Sequence, residues 1–177
     1  LTGIQQLPSG TSDPTSYNTP AGALAQRTAA LNAFITEWPQ LIVNSGTLTD
    51  EAQIQTSSAG NSGPTKLDQR ILVEGTPTNP VSNGSDGDYV KLNKVRGLAN
   101  QALGQLATYD PSAPASMRGE LFALQGYAEI MLADYFCSGI PLSTLDFQND
   151  YTYKAPSTTA EVYQDAVTKF DSAMALA

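Results

Sequence analysis

The chain lacks histidine entirely and contains a single cysteine among its 177 residues. Without an imidazole, Ser-His-Asp and Cys-His catalysis are excluded, and so is every zinc site that needs a histidine ligand. Cys137 cannot form an internal disulfide, and it lies in the apolar run Tyr135-Phe136-Cys137. A thiol in such surroundings is typically a small buried hydrophobe, so we predict a structural role for Cys137.

Charge and long apolar runs are also scarce. Charged residues make up 15% of the chain, and 9 basic residues stand against 17 acidic ones, for a net charge of −8. No basic stripe is available to neutralise phosphates, so we expect no nucleic-acid partner. A bilayer-spanning helix needs an apolar run of about 18 residues or more, and the chain has none.

Helical periodicity dominates what is present, because apolar residues recur at intervals of three and four. A first helix starts at Pro20, and we expect Pro39 to end or kink it. Thr158 and Glu161 form a capping-box pattern that starts a last helix. No alternating strand pattern is seen, so the sequence predicts an all-α fold of side-by-side helix pairs. The other two helices are predicted from Tyr89 to Leu106 and over residues 115–137.

Length and composition predict one α-helical domain over residues 1–177. Residues 1–19 are rich in Pro, Ser, Thr and Gly and form an extended lead-in. Residues 46–88 contain repeated Gly and Pro and form a long loop region, which we expect to be ordered against the helices. Residues 142–156 form a polar and aromatic loop.

Two helices carry a further signal in their apolar faces. The helix over residues 115–137 has two apolar stripes, so we expect neighbours to cover it from two sides. The last helix is still running at Ala177, and its Phe170 and Leu176 have no following partner in this chain. Either more polypeptide follows or another molecule covers this face, and self-association through it is one option.

The stretch Arg118-Gly119-Glu120-Leu121-Phe122-Ala123-Leu124-Gln125-Gly126-Tyr127-Ala128-Glu129-Ile130 runs into Phe136-Cys137-Ser138-Gly139-Ile140-Pro141-Leu142. Together with other segments in order along the chain, it resembles the RagB/SusD family of nutrient-binding lipoproteins of the bacterial outer membrane. The resemblance extends over residues 13–177. Its other segments are Asp13-Pro14 to Thr19, Ser45-Gly46-Thr47-Leu48-Thr49-Asp50-Glu51, Leu67-Asp68-Gln69-Arg70 and Pro156-Ser157-Thr158-Thr159-Ala160-Glu161-Val162-Tyr163.

The resemblance implies tetratricopeptide-like helix pairs with long irregular loops. It also implies a lipid anchor on an amino-terminal cysteine, location at the cell surface on the outer membrane, and a TonB-dependent, SusC-like transporter as partner. The captured nutrient would be a glycan or a peptide. Members of the family are usually more than twice this length, so the match covers their amino-terminal portion. No amino-terminal cysteine is present in this sequence.

The best candidate for ligand binding is the stretch Asn149-Asp150-Tyr151-Thr152-Tyr153. Aromatic rings stack on the apolar face of a sugar while amides and carboxylates bind its hydroxyls, so Asn149, Asp150, Tyr151 and Tyr153 supply that chemistry. The competing interpretation is that both tyrosine rings pack onto the adjacent helix ends. Trp38 lies on an apolar helical face, which favours a core position over a binding platform.

Two other motifs have simpler explanations than function. Asn83, Asp86 and Asp88 offer oxygen ligands for calcium, but no bidentate Glu follows, so a turn with Asp88 as helix N-cap is favoured. Asn83-Gly84-Ser85 also fits the glycosylation pattern, which is common by chance. We predict no metal site and no cofactor.

Adjacent carboxylates at Asp50 and Glu51 are a poor glycosidase pair, because that chemistry needs two carboxyls about 5–10 Å apart across the sugar. We expect Asp50 or Asp68 to pair with Arg70 instead. The leading hypothesis is a non-catalytic nutrient-binding subunit. The second is a structural or interaction protein that self-assembles through stacked helix pairs, and a glycoside hydrolase is the third and least favoured.

Overall fold

The computed structural model describes residues 18–51, 87–136, 138–148 and 150–177. These residues are mostly helical, which confirms the all-α class, while the tetratricopeptide-like pairing stays a prediction. In chain order the elements are α1 (Pro20–Leu48), α2 (Asp88–Tyr109), α3 (Ala115–Tyr135), β1 (Ile140–Pro141), β2 (Thr144–Leu145), β3 (Tyr151–Thr152), β4 (Pro156–Ser157) and α4 (Thr159–Ala175).

Each helix packs mainly on the next one along the chain. Helix α3 therefore lies between α2 and α4, which confirms the prediction that two neighbours cover it. Leucines at the three interfaces are fully buried, and each contributes about 1.5–3 kcal/mol by leaving water. Buried alanines between them allow the helices to approach closely. The fully buried leucines include Leu92, Leu106, Leu121 and Leu132.

Helix α1 begins where the sequence predicts but does not end at Pro39. Thr19 caps it, its side-chain oxygen accepting the N–H of Gly22 at 3.0 Å. The helix runs through Pro39 to Leu48, so the expectation that Pro39 ends it is wrong, while the alternative of a kink stays a prediction. Pro39 lies on the exposed side and Ile35, one turn earlier, is 63% exposed, so water can reach the carbonyl that Pro39 leaves unbonded.

The carboxyl end of α1 is held by a contact to α2. Asn44 is buried, and its Nδ2 donates to the Asp88 carboxylate at 2.5 Å. The helix consequently continues past the predicted start of the long loop at residue 46, and Asp50, at φ 62°, follows it in the left-handed region. Most of that loop, with Asp68, Arg70, Asn83 and Asp86, lies outside the described residues.

The start of α2 corrects one prediction about capping. Gly87 is the N-cap and contributes no side-chain bond, so Asp88 is the first helical residue and not the cap. Its carboxylate still lies where the helix dipole favours negative charge. Helix α2 ends at Tyr109, and the short connection predicted at Asp110 leads directly to α3.

Helix α4 confirms the predicted capping box. Thr158 Oγ1 accepts from the Glu161 N–H at 3.3 Å, and Glu161 Oε2 accepts from the Thr158 N–H at 2.7 Å. The helix ends at Ala175 and does not run on to Ala177. Phe170 is half-buried against α3, so the prediction that it lacks cover is wrong.

Leu176, also predicted to be uncovered, packs beside Gly119 on α3. The exposed large apolar side chains of α4 include Val167, at 51%, and Met174, at 69%. Met174 lies at the edge of the contact with α3, where it borders a groove that Tyr127 also lines.

Between α3 and α4 the chain forms strands that the sequence did not predict. Strand β1 pairs antiparallel with β4, and β2 pairs antiparallel with β3 inside them. Each strand has only two residues, which is too short to produce an alternating pattern in the sequence. The predicted irregular loop is therefore a nested pair of antiparallel ladders.

Candidate functional site

The predicted binding residues lie at the tip of these ladders. Tyr151 belongs to β3, Asp150 precedes it, and Tyr153 follows it. Asn149 lies outside the described residues. The backbone of Asp150 closes a turn with Asp146. The Asp150 N–H donates to Asp146 Oδ1 at 2.9 Å, and the Asp150 carbonyl accepts from the Asp146 N–H at 3.1 Å. The tip is therefore a turn built by the Asp146 side chain.

Tyr151 and Tyr153 form what we call the tyrosine pair. Their rings are stacked, with centroids 5.9 Å apart and planes inclined by 14°. They are 62% and 83% exposed, so the interpretation that they pack onto helix ends is wrong. Residues two apart on an extended chain share one side, which explains the stacking. The pair presents an aromatic surface to solvent.

A groove of about 320 Å³ lies between the ladders and α2, and Tyr151 lines it. We call it the loop groove. One set of lining residues is apolar and the other can donate or accept hydrogen bonds. The apolar set is Leu98, Leu145 and Tyr151, and the polar set includes Asn93, Lys94 and Gln101.

The ladders are held on α2 by side-chain bonds to their backbone. Asn100 Nδ2 donates to the Leu145 carbonyl at 2.8 Å, and Gln101 Nε2 donates to the Asp146 carbonyl at 3.2 Å. The Phe147 ring covers Gly104 so closely that a Cβ there would lie 2.5 Å from it. These contacts fix the loop groove before any ligand arrives.

Beneath the loop groove lies a polar cavity of about 30 Å³, between α2, α3 and α4. The groove and the cavity share Gly97, Ser143 and Thr144 in their walls. Glu129, which is 1% exposed, lines the polar cavity, and burial raises its pKa to about 7. Arg96 opposes that rise, its Nε donating to Glu129 Oε1 at 3.0 Å.

Among the other residues considered from the sequence, Trp38 has a structural role. Trp38 packs on Phe34 and Tyr127, with ring centroids 5.3 and 6.3 Å away, which confirms the core interpretation. Asp50 and Glu51 follow α1 directly, at positions exposed to solvent. Cys137 lies outside the described residues.

No group of three or more Cys, Asp and Glu side chains among the described residues could hold a metal ion. None of the helices in those ranges is long and apolar enough to cross a membrane.

Sequence reasoning missed the α2 side of the site. Lys94, Leu98 and Gln101 follow one another at spacings of four and three, so the helix places them on one face. The available signal was a polar stripe beside the apolar face of α2. Nothing in the sequence indicated that the loop after α3 returns to cover that stripe.

No family model, curated protein or solved structure matches this chain. The RagB/SusD resemblance therefore stays a prediction, carried by the quoted segments alone.

Proposed function

We propose that the protein is a non-catalytic solute-binding subunit that captures a glycan or a peptide in the loop groove. One observation carries the proposal: two tyrosine rings, 62% and 83% exposed, are stacked beside the groove. Rings this exposed bury little apolar surface on folding, and they suit a ligand with an apolar face.

The polar wall supports the same function. Lys94 brings an ammonium group to the groove that Tyr151 lines. Asn93 and Gln101 add amide groups, which also form hydrogen bonds within the chain. An apolar platform facing a few polar groups is the usual composition of a small-molecule site. With the RagB/SusD resemblance, this supports a role on the bacterial outer membrane as partner of a TonB-dependent transporter.

The test is calorimetric titration of the full chain with a panel of oligosaccharides and short peptides. For a ligand that binds, we expect Tyr151→Ala to weaken affinity about tenfold, which corresponds to about 1.4 kcal/mol. Tyr163→Ala is the matched control, because Tyr163 is an exposed tyrosine on α4 outside the groove. Equal losses in the two variants, or no binding across the panel, would contradict the proposal.

A second function, self-assembly, is favoured by a different surface. An apolar groove of about 370 Å³ runs between α3 and α4 and is lined by Tyr127, Phe170 and Met174. A second copy could cover it, although the net charge of −8 opposes close association. Sedimentation at increasing concentration separates the two functions, since self-assembly requires a mass that rises with concentration and that Met174→Lys abolishes.

A further inference from the structure

The two carboxyl oxygens of Glu129 on α3 differ in their hydrogen bonding. Oε1 accepts from Arg96 Nε at 3.0 Å, but no donor of the described residues bonds to the buried Oε2. A buried carboxylate oxygen left unbonded destabilises the folded state. A proton on Oε2 would turn this oxygen into a donor.

The Asp165 carboxyl on α4 lines the same small cavity as Glu129, and its charge and a side-chain hydrogen bond to it are among the causes that raise the pKa of Glu129. Two ionised carboxylates in one small cavity repel each other, and neither can donate a hydrogen bond. A single proton resolves both difficulties, because a protonated carboxyl donates one O–H bond. We propose that Glu129 and Asp165 are a proton-sharing carboxyl pair, in which a hydroxyl on Glu129 Oε2 donates to Asp165 and ties α4 to α3.

The charged groups around the pair agree with one bound proton. From α2, Arg96 neutralises Glu129 through its other oxygen. From α4, Lys169 Nζ lies 3.7 Å from Asp165 Oδ2. Lys154, from the segment before β4, also lines the polar cavity and is exposed. The Glu129 side chain is 1% exposed and that of Asp165 is 34% exposed, so Glu129 is the member that holds the proton.

Burial is the largest cause of the raised pKa of Glu129, which lies at about 7, and Asp165 raises it further. Below pH 7 the hydroxyl bridges the two helices, and above pH 7 the proton leaves to solvent and the carboxylates repel. Loss of this hydrogen bond therefore weakens the contact of α4 with α3 as pH rises. Because Gly97, Ser143 and Thr144 border both the polar cavity and the loop groove, the change reaches the wall of the groove.

The direct test is a carboxyl ¹³C NMR titration of the full chain, with the Glu129 signal assigned from its loss in Glu129→Gln. We expect a midpoint near pH 7 in the wild type. Asp165→Asn should lower that midpoint by at least one unit, since an asparagine amide donates to ionised Glu129. Asp171→Asn, at an exposed carboxylate of the same helix, should leave it unchanged.

Two results would overturn the proposal. A wild-type midpoint near the ordinary glutamate value of 4.5 would mean that no proton is held. A raised midpoint that Asp165→Asn does not move would mean that burial alone raises the pKa of Glu129.

The effect on α4 is measured by hydrogen exchange of the wild type at pH 6 and pH 8, corrected for the intrinsic rate. With a midpoint near 7, the opening constant of α4 amides should rise about tenfold between the two. Unchanged opening would show that the pair does not hold α4.

Discussion

The same arrangement of charges occurs at two helix interfaces of this protein. Between α2 and α3, Glu129 has one oxygen bonded to Arg96 and faces Asp165. Between α1 and α2, Glu37 has one oxygen 3.0 Å from Lys91 Nζ and faces Asp88. Both glutamates are buried, and each has its second oxygen without a hydrogen-bond partner.

The two arrangements differ in their access to water. The Arg96 side chain is 8% exposed and the cavity at Glu129 holds about 30 Å³. The Lys91 side chain is 35% exposed, and Glu37 borders a groove of about 640 Å³. Burial raises the pKa of both glutamates, but the structure brings Glu129 to about 7. A buried carboxylate holds a proton more strongly where less water reaches it and the base beside it.

The largest effects are expected when each base is removed. Arg96→Met leaves Glu129 buried in a site with little room for water, and we expect a loss of about 3–5 kcal/mol in the free energy of unfolding at pH 8. Lys91→Met should cost about 1 kcal/mol, because water from the wide groove replaces the ammonium group. Urea unfolding of both variants measures the difference. Equal losses would show that enclosure is not what separates the two sites.

The contribution of Glu129 to the free energy of unfolding should fall as pH rises. Because the pKa of folded Glu129 is about 7 and its ordinary value is 4.5, the folded state binds more protons between those values. Its contribution to the free energy of unfolding should therefore fall by about 3 kcal/mol as pH rises from 4.5 to 7. The measurement is the difference between the stability profiles of the wild type and Glu129→Gln.

Glu37→Gln is the matched control for that profile. The pKa of Glu37 is also raised, so the free energy of unfolding should again fall as pH rises. We expect the fall to be smaller than for Glu129, because the Glu37 site is open to water. If the free energy of unfolding fell more steeply with pH for Glu37 than for Glu129, low access to water would not explain the difference between the two sites.

The smallest effects are expected from two glycines. A Cβ at Gly126 would lie 2.9 Å from the Phe170 ring, so Gly126→Ala should weaken the contact of α3 with α4 by about 1–2 kcal/mol. A Cβ at Gly97 meets nothing within 4 Å, so Gly97→Ala should stabilise α2 by about 0.5–1 kcal/mol. Thermal unfolding of both variants checks the opposite signs. Destabilisation by Gly97→Ala would mean that the wall shared by the groove and the polar cavity is less open than described.

Much of the fold could be predicted because helices record their period locally. The capping box at Thr158 and the two-faced pattern of α3 are confirmed. The end of α1 could not be predicted, because the contact of Asn44 with Asp88 joins residues 44 positions apart. A proline at position 39 is a weak stop signal when the freed carbonyl faces solvent.

The candidate site was only half predictable. Tyr151 and Tyr153 were found because aromatic rings in a polar loop are conspicuous, although their exposure was decided by the ladder that carries them. The α2 wall was missed because its residues read as an ordinary solvated helix face. Glu129 stands among apolar residues of α3 in the sequence, but the sequence does not show that Asp165 lies beside it.

The helical class, most helix starts and the chemistry available to the loop after α3 follow from the sequence, because each depends on neighbours within a few turns of chain. The side of α2 that the loop covers, the tyrosines that reach solvent and the carboxylate that has the least access to water follow from tertiary contacts. Those outcomes depend on distance and enclosure in three dimensions. Glu37 and Glu129 are the same residue type, each beside a base and an aspartate, and they differ in how much water the fold leaves around them.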